Sequence, residues 1–359
     1  MRKLTNITLA TSRNGKGGVA SVVYKLHDSG FFSKWHVKHI VTHVSGNDRF
    51  GFLRVMVYLS ALIITFFTLV LSHVGIAHIH MSSRGSYKRK ALLVKLLRLF
   101  KVKIILHLHG AEFKEFYHDE SEKKQQIKIA KIFNQVDRVI VLSSQWLQWV
   151  STIIDDSSKI RVIYNSVDSL TFDRESIQPG TILFLGRLGG RKGVADLIQA
   201  FYQVHKKVPN SRLILGGDGD LNVFKQQAKE LGIEEQVIFL GWVNGQDKLD
   251  WLARADVFCL PSYNEGFPMG VLEAMSAQKA IIASRAGGIP DAIEDEKSGL
   301  LFDAGDVAEL SRLLTLAIDN RSLNTALAKN AKSRFEAKFS AQAIIPQLDA
   351  LYEELLNEL

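Results

Sequence analysis

Short apolar runs alternate with longer stretches of mixed polarity along the whole chain. In the first half the runs Ile7–Ala10, Val37–Val41, Ala77–His80, Lys103–Leu108, Arg138–Leu142 and Arg161–Tyr164 predict strands. A second series follows at Ile182–Leu185, Arg212–Leu215, Val237–Leu240, Val257–Leu260, Ala280–Ala283 and Leu300–Phe302. Apolar residues at helical spacing fill the gaps, for example over Val194–Lys207, Leu221–Leu231, Gln246–Arg254 and Val307–Asp319. Such alternation predicts parallel βαβ units and an α/β class. The two series are separated by the polar stretch Asn165–Gly180, which carries Pro179 and Gly180. Two doubly wound parallel sheets are therefore expected, in domains 1–165 and 181–339, with 166–180 as the linker. The tail Ser340–Leu359 reads as a last amphipathic helix that either caps the second domain or crosses back to the first. Ligands of such sheets sit at the carboxyl ends of the strands, so a cleft between the domains is the expected site.

Two helical stretches stand out. Val55–Ser72 is 18 uncharged residues, just short of the about 20 that span a bilayer. It runs straight into Gly75–His80, a strand of the same domain, so a helix buried between sheet and partner helices is expected, with shallow membrane insertion as the rival. The second stretch carries Arg84, Lys88, Arg89, Lys90, Lys95, Arg98, Lys101 and Lys103 among leucines at mostly helical spacing. It is a basic amphipathic helix, presenting either an ordinary solvated face or a membrane-contacting one.

Charge sharpens that choice. The chain of 359 residues has a net charge of +8. Residues 1–170 hold 25 Lys and Arg against 11 Asp and Glu, a net of +14, while residues 171–359 are net −6. A basic half joined to an acidic half implies an anionic partner for the former. No zinc-finger spacing or aromatic RNA-binding signature accompanies the charge, which disfavours nucleic acid. The lone Cys259 excludes an internal disulfide and a cysteine-built metal site, and fits a reducing compartment. No long apolar core precedes Ser12, so no secretory signal is expected.

Candidate chemistry clusters after particular strands. Glu265 and Glu273 lie eight apart in Ser262-Tyr-Asn-Glu-Gly-Phe-Pro-Met-Gly-Val-Leu-Glu-Ala-Met-Ser276. A loop carboxylate accepts hydrogen bonds from sugar hydroxyls, and a helix N-terminus binds phosphate. A nucleotide sugar offers both groups. Gly186-Arg187-Leu188-Gly189-Gly190-Arg191-Lys192-Gly193 follows the first strand of the second series; its Arg187 and Lys192 suit a diphosphate, although a turn with solvated charges has the same composition. Gly15-Lys16-Gly17-Gly18-Val19 follows the first strand of the chain and opens a helix, but it is not a Walker loop. His107-Leu-His109-Gly110 and His78-Ile-His80 end two strands. Their spacing permits a metal in principle, yet no well-placed third-ligand pattern appears, and His109 is better placed to meet a substrate. Asp218-Gly-Asp220 is as readily a turn with a helix N-cap as an acidic metal pair.

Taken in order, these segments resemble the family 4 retaining glycosyltransferases of the GT-B fold. The resemblance is carried by Gly186-Arg187-Leu188 with Lys192-Gly193, Gly216-Gly217-Asp218-Gly219, Phe239-Leu-Gly241, Pro261-Ser262 leading into Glu265-Gly-Phe267, Glu273-Ala274, Gly287-Gly288-Ile-Pro-Asp291 and Gly299-Leu-Leu-Phe-Asp303. It spans essentially the whole chain, more loosely in the first half. The stretch His78–Ser86 is similar to bacterial surface-polysaccharide transferases.

The resemblance implies two Rossmann-like domains around a cleft, with the nucleotide-sugar donor held by the second. It implies that Arg187 and Lys192 hold the donor diphosphate and stabilise it as leaving group. Glu265 would bond the sugar hydroxyls, the amides of Phe267, Pro268-Met269-Gly270 and Val271 would lie against sugar and phosphate, and Glu273 would bind ribose. Trp242 would approach the base, Gly17 and Gly18 would close over the diphosphate, and His109 would contact the transferred sugar or the acceptor. Pro268 stands apart from the family's usual Gly-Phe-Gly pattern. The reaction would be metal-independent, using a UDP- or GDP-sugar and a glycan or polyprenyl-diphosphate-linked acceptor. The expected location is cytoplasmic, peripheral at the inner face of a bacterial plasma membrane. Alternatives are a GT-B nucleotide-sugar epimerase or an inactive GT-B binding protein.

Overall fold

The computed structural model describes residues 4–15, 17–44, 51–172 and 176–359. Lys16, part of the first glycine turn, and three residues of the linker (173–175) lie outside these. The chain forms two compact units, Met1–Ser166 with Ala341–Leu359, and Val167–Ser340.

The first unit holds β1 (Leu4–Thr11), β2 (Val37–His43), β3 (His73–Met81), β4 (Lys103–Leu108), β5 (Arg138–Val141) and β6 (Ile160–Val162). Its helices are α1 (Gly18–Asp28), α2 (Phe31–Lys34), α3 (Gly51–Leu71), α4 (Gly85–Leu99), α5 (Phe113–His118), α6 (Lys123–Asn134) and α7 (Ser144–Val150). The second unit holds β7 (Thr181–Leu185), β8 (Arg212–Gly216), β9 (Val237–Gly241), β10 (Val257–Leu260), β11 (Ala280–Ser284) and β12 (Leu300–Phe302). Around them lie α8 (Val194–Lys207), α9 (Leu221–Glu230), α10 (Gly245–Arg254), α11 (Met269–Ser276), α12 (Ile289–Ala292), α13 (Val307–Asp319) and α14 (Arg321–Lys338). A final helix, α15 (Ala341–Asn357), belongs to the first unit.

Each unit carries one six-stranded parallel sheet, in the orders β2-β1-β3-β4-β5-β6 and β12-β11-β10-β7-β8-β9. Strands flanked by helices on both faces must be apolar throughout, and β7, β10 and β11 are buried at every position. In the second sheet the strand order reverses between β7 and β10. The carboxyl ends of β7 and β10 therefore diverge into loops at a topological switch point.

The tail helix is tied to the first unit by residues far away in sequence. Trp35 donates its indole N–H to Asp349 at 2.6 Å, Tyr352 packs its ring edge on Phe31, and Arg138 pairs with Glu354 at 2.6 Å.

Helix α3 corrects the expectation of a buried helix. Only Ala61, Thr65, Thr68 and Leu69 are buried along its 21 residues. Two of these are threonines that return their hydroxyls to the carbonyls of Ala61 and Ile64. An unbroken apolar run conceals which face meets the sheet, because every face has the same composition. The basic helix α4 is likewise more divided than its sequence implies. Lys90 is buried and donates to the Thr42 hydroxyl, and burial holds its ammonium well below the usual lysine range. Arg84 is paired with Glu112 and Glu120, and Lys103 with Glu358 at 2.9 Å. Lys88, Lys95, Arg98 and Lys101 remain exposed.

Candidate functional site

The switch point of the second sheet is built by close backbone approaches. The loop leaving β7 runs beside the loop leaving β8: Leu188 N–H donates to the Asp218 carbonyl at 2.7 Å, and Leu188 forms a bridge with Gly219. A Cβ on Gly217 would stand 1.7 Å from the Gly186 carbonyl, and one on Gly219 2.1 Å from the Leu188 carbonyl. The Gly-Gly-Asp-Gly segment is thus the floor under the Arg187 loop. Asp220 precedes α9 but makes no side-chain cap bond.

Across the switch point, the loop after β10 carries Glu265, only 6% exposed. Ser262 donates its hydroxyl to the Glu265 carboxylate at 2.6 Å, and Lys192 donates its ammonium to the same oxygen. Arg191 stands 3.9 Å from the other oxygen and donates to the Asn264 carbonyl at 2.7 Å. The loop is pinned from behind by Ser284, whose hydroxyl donates to the Ser262 carbonyl. Gly287 has φ +54°, and a Cβ there would lie 1.7 Å from the Glu265 carbonyl oxygen. A 3-10 turn over Gly190–Lys192 and the left-handed Gly193 aim Lys192 at this carboxylate.

Helix α11 begins directly after this loop. Pro268 is its N-cap and supplies no side-chain cap, so the Met269 and Gly270 amides have no partner inside the helix. Gly270 packs where a Cβ would meet the Phe258 ring at 3.2 Å. The Val271 N–H turns back to the Pro268 carbonyl at 3.2 Å, and the Phe267 side chain is in the core against Phe339. One turn further on, Glu273 pairs with Lys248 of α10 at 2.7 Å. Trp242 follows β9 and is 40% exposed. Arg187 is exposed and carries no ion pair among the described residues.

Three contributors had no assigned role in the sequence. Lys248 stands outside every motif, Ser262 belongs to one without a role of its own, and Arg191 is overshadowed by its neighbours Arg187 and Lys192. Only the fold brings each against a glutamate.

Gly17, Gly18 and His109 belong to the first unit. Gly17, at φ +105°, caps α1 without a side-chain bond. His109, just past the end of β4, is one of four imidazoles gathered at β3 and β4. His78 is hydrogen-bonded to His107 at 3.1 Å and to the Tyr352 hydroxyl at 3.2 Å, and His80 to His109 at 2.8 Å. Their rings stack, His78 on His80 at 4.5 Å and His107 on His109 at 4.0 Å. Burial holds His78 and His109 down to about 3, and His80 and His107 well below the ordinary imidazole value. His78, His80 and His107 present nitrogens within 4.8 Å of one another, a candidate metal cluster that the two-residue spacings had suggested only as pairs. Nearly parallel rings aim their lone pairs side by side, so coordination requires the rings to turn.

A parallel sheet in each unit, with the second ordered as a dinucleotide-type fold and its polar groups gathered at the switch point, places the protein in the GT-B class of glycosyltransferases. Two family models match in succession, "Glycosyltransferase Family 4" over residues 15–169 and "Glycosyl transferases group 1" over residues 172–334. Together they cover most of the sequence, and the chain belongs to the family 4 glycosyltransferases.

It is 26% identical over 280 residues to the N-acetyl-alpha-D-glucosaminyl L-malate synthase of Bacillus anthracis, covering 75% of this chain and 72% of that protein. It is 34% identical over 180 residues to a D-inositol 3-phosphate glycosyltransferase of Corynebacterium jeikeium, covering 48% of this chain and 43% of that protein. Anabaena HepE, solved with UDP and glucose, has the same fold at a TM-score of 0.77, with 20% identity over 98% of this chain and 100% of that one. Sucrose-phosphate synthase of Thermosynechococcus elongatus does so at 0.80, with 19% identity over 99% and 100%.

Proposed function

We propose that the protein moves a sugar from a UDP- or GDP-sugar to a glycan acceptor, with retention at the anomeric carbon. The acceptor is carried on a polyprenyl diphosphate, and the product enters a cell-surface polysaccharide. Support for a nucleotide donor comes from the fold shared with HepE, which is solved with UDP. The relatives' acceptors, malate and inositol phosphate, differ from one another. The lipid-linked acceptor rests instead on the basic first half and its expected place on an anionic membrane surface.

The observation that carries this function is the buried Glu265 held by Ser262 and Lys192 beside the open mouth of α11. A buried carboxylate already held by a hydroxyl and an ammonium group is a ready acceptor for sugar hydroxyls. As the diphosphate enters, the Lys192 ammonium meets phosphate oxygens while its stem stays over Gly186. Negative charge grows on the departing diphosphate as the glycosidic bond breaks. Arg187, Lys192 and the Met269 and Gly270 amides stabilise it, each such preorganised group being worth about 10²–10³-fold in rate. The acceptor hydroxyl attacks from the face the diphosphate leaves, with no protein nucleophile. Glu273, oriented by Lys248, accepts from the ribose hydroxyls, and Trp242 lies toward the base.

A thermal-shift screen of nucleotides and nucleotide sugars tests the donor. A donor at a hundred times its dissociation constant adds about 2.7 kcal/mol of stability. UDP or GDP compounds should raise the melting temperature, and Glu273→Ala should abolish the rise. No shift with any nucleotide sugar would overturn the assignment.

A further inference from the structure

The outward face of α3 gathers most of the exposed large apolar side chains among the described residues. Eleven of the twenty large apolar side chains exposed among the described residues lie on this one helix, with Phe52 76% and Phe67 54% exposed. The face continues onto α4 through Leu92 and Leu99 and ends on Phe100, which packs its ring against Phe66 at 6.1 Å. A soluble monomer seldom leaves a contiguous apolar patch of this extent uncovered.

Charge says what covers it. Between Gly51 and Ala111 the sequence holds nine Lys and Arg and no Asp or Glu. The exposed cations Lys88, Lys95, Arg98 and Lys101 border the apolar strip on α4. An apolar face bordered along α4 by exposed cations matches an anionic lipid surface, acyl chains meeting the face and headgroups meeting the cations. A second copy of the chain fits poorly, because a two-fold contact would bring the cationic rims together.

The helix is long and apolar enough to cross a membrane, but its attachments hold it flat against its own unit. Tyr58 donates its hydroxyl to the Arg89 carbonyl at 2.8 Å, and Lys38 donates to Thr68 at 3.1 Å. One residue after Leu71 the chain enters β3, which pairs with both β1 and β4. Lifting α3 into a spanning position would tear Thr65 and Thr68 from the packing and strain that junction.

We propose that α3 lies in the plane of an anionic bilayer surface with its outer face sunk into the acyl boundary and the α4 cations on the headgroups. This narrows the membrane reading above to one inserted element and is independent of the transfer chemistry.

The test is co-sedimentation of the whole protein with vesicles of phosphatidylcholine alone and of equal parts phosphatidylcholine and phosphatidylglycerol. The protein should bind the mixed vesicles and resist release by high salt. The exposed-site variant I63Q/F67Q should lose about tenfold or more in vesicle affinity, while keeping its melting temperature and nucleotide-induced shift. Because Cys259 is the lone cysteine and is buried, an environment-sensitive dye on Phe67→Cys reports insertion directly by a blue shift on the mixed vesicles. Unchanged binding by I63Q/F67Q, or complete salt release, would reduce the contact to the basic rim and overturn insertion of α3. No wild-type binding to either vesicle would overturn the membrane surface as well. A wild-type dimer that I63Q/F67Q converts to monomer, without vesicle binding, would identify a second copy as the occupant instead.

Discussion

Four imidazoles in contact, all kept neutral by burial, make the first unit sensitive to acid. An unfolded histidine takes up its proton near 6.5, whereas His78 and His109 in the fold do so at about 3. As pH falls below about 6.5 the unfolded state binds protons first, so stability is complete above that value and declines toward about 3. Each such ring removes about 1.4 kcal/mol per pH unit within the window. Urea unfolding at neutral and mildly acid pH should show this decline, and His107→Leu should flatten it by about one proton's worth of slope. Equal slopes in the two proteins would mean that His107 titrates normally in the fold. The sequence displayed these histidines only as two strand-end pairs. Their merging into one stack depends on β3 and β4 being neighbours in register, with His80 opposite His107. At the same scale, Lys192 and Glu265 were each legible as functional groups, but not as partners. They are 73 residues apart and meet only because β7 and β10 are adjacent in the sheet.

Elements explain why glycines recur in the motif-rich half. Gly287 has no role at a ligand, yet its left-handed backbone and missing Cβ let the Glu265 carbonyl approach. Gly287→Ala should cost at least about 1–2 kcal/mol from the backbone conformation alone, with a further cost as the Glu265 loop shifts. Chemical denaturation measures the first, and a weakened donor-induced thermal shift the second. A variant with unaltered stability and donor response would show that the loop path does not depend on this glycine. Strands and amphipathic helices were readable because burial on one or both faces leaves a periodic trace: β4, β10 and β12 and helices α8 and α13 have the bounds that their patterns predict. Helix α3 was not, since an all-apolar run carries no period to show which face is inward. Membrane chemistry and core chemistry use the same side chains, and only the exposed environment of Phe52 and Phe67 separates them.

At the scale of the molecule, two parallel sheets in a single chain define the class, and the order of short motifs defines the family. The candidate site lies in the acidic half, at the switch point of the second sheet, whereas the basic half carries the exposed apolar face of α3. The uneven charge along the chain makes that division legible, but it does not show how many of the basic residues are spent on internal pairs. Arg84, Lys90 and Lys103 all bond to partners within the first unit, and of the three only Lys90 is buried. The central claim is that electrostatic stabilisation of a departing diphosphate drives glycosyl transfer. Steady-state transfer by Lys192→Ala, with the donor identified by thermal shift, tests it most directly. The account predicts a fall in kcat of about 10²-fold or more with KM for the donor little changed. An unchanged kcat with a raised KM would contradict it, leaving Lys192 as a residue that holds the donor without assisting its cleavage.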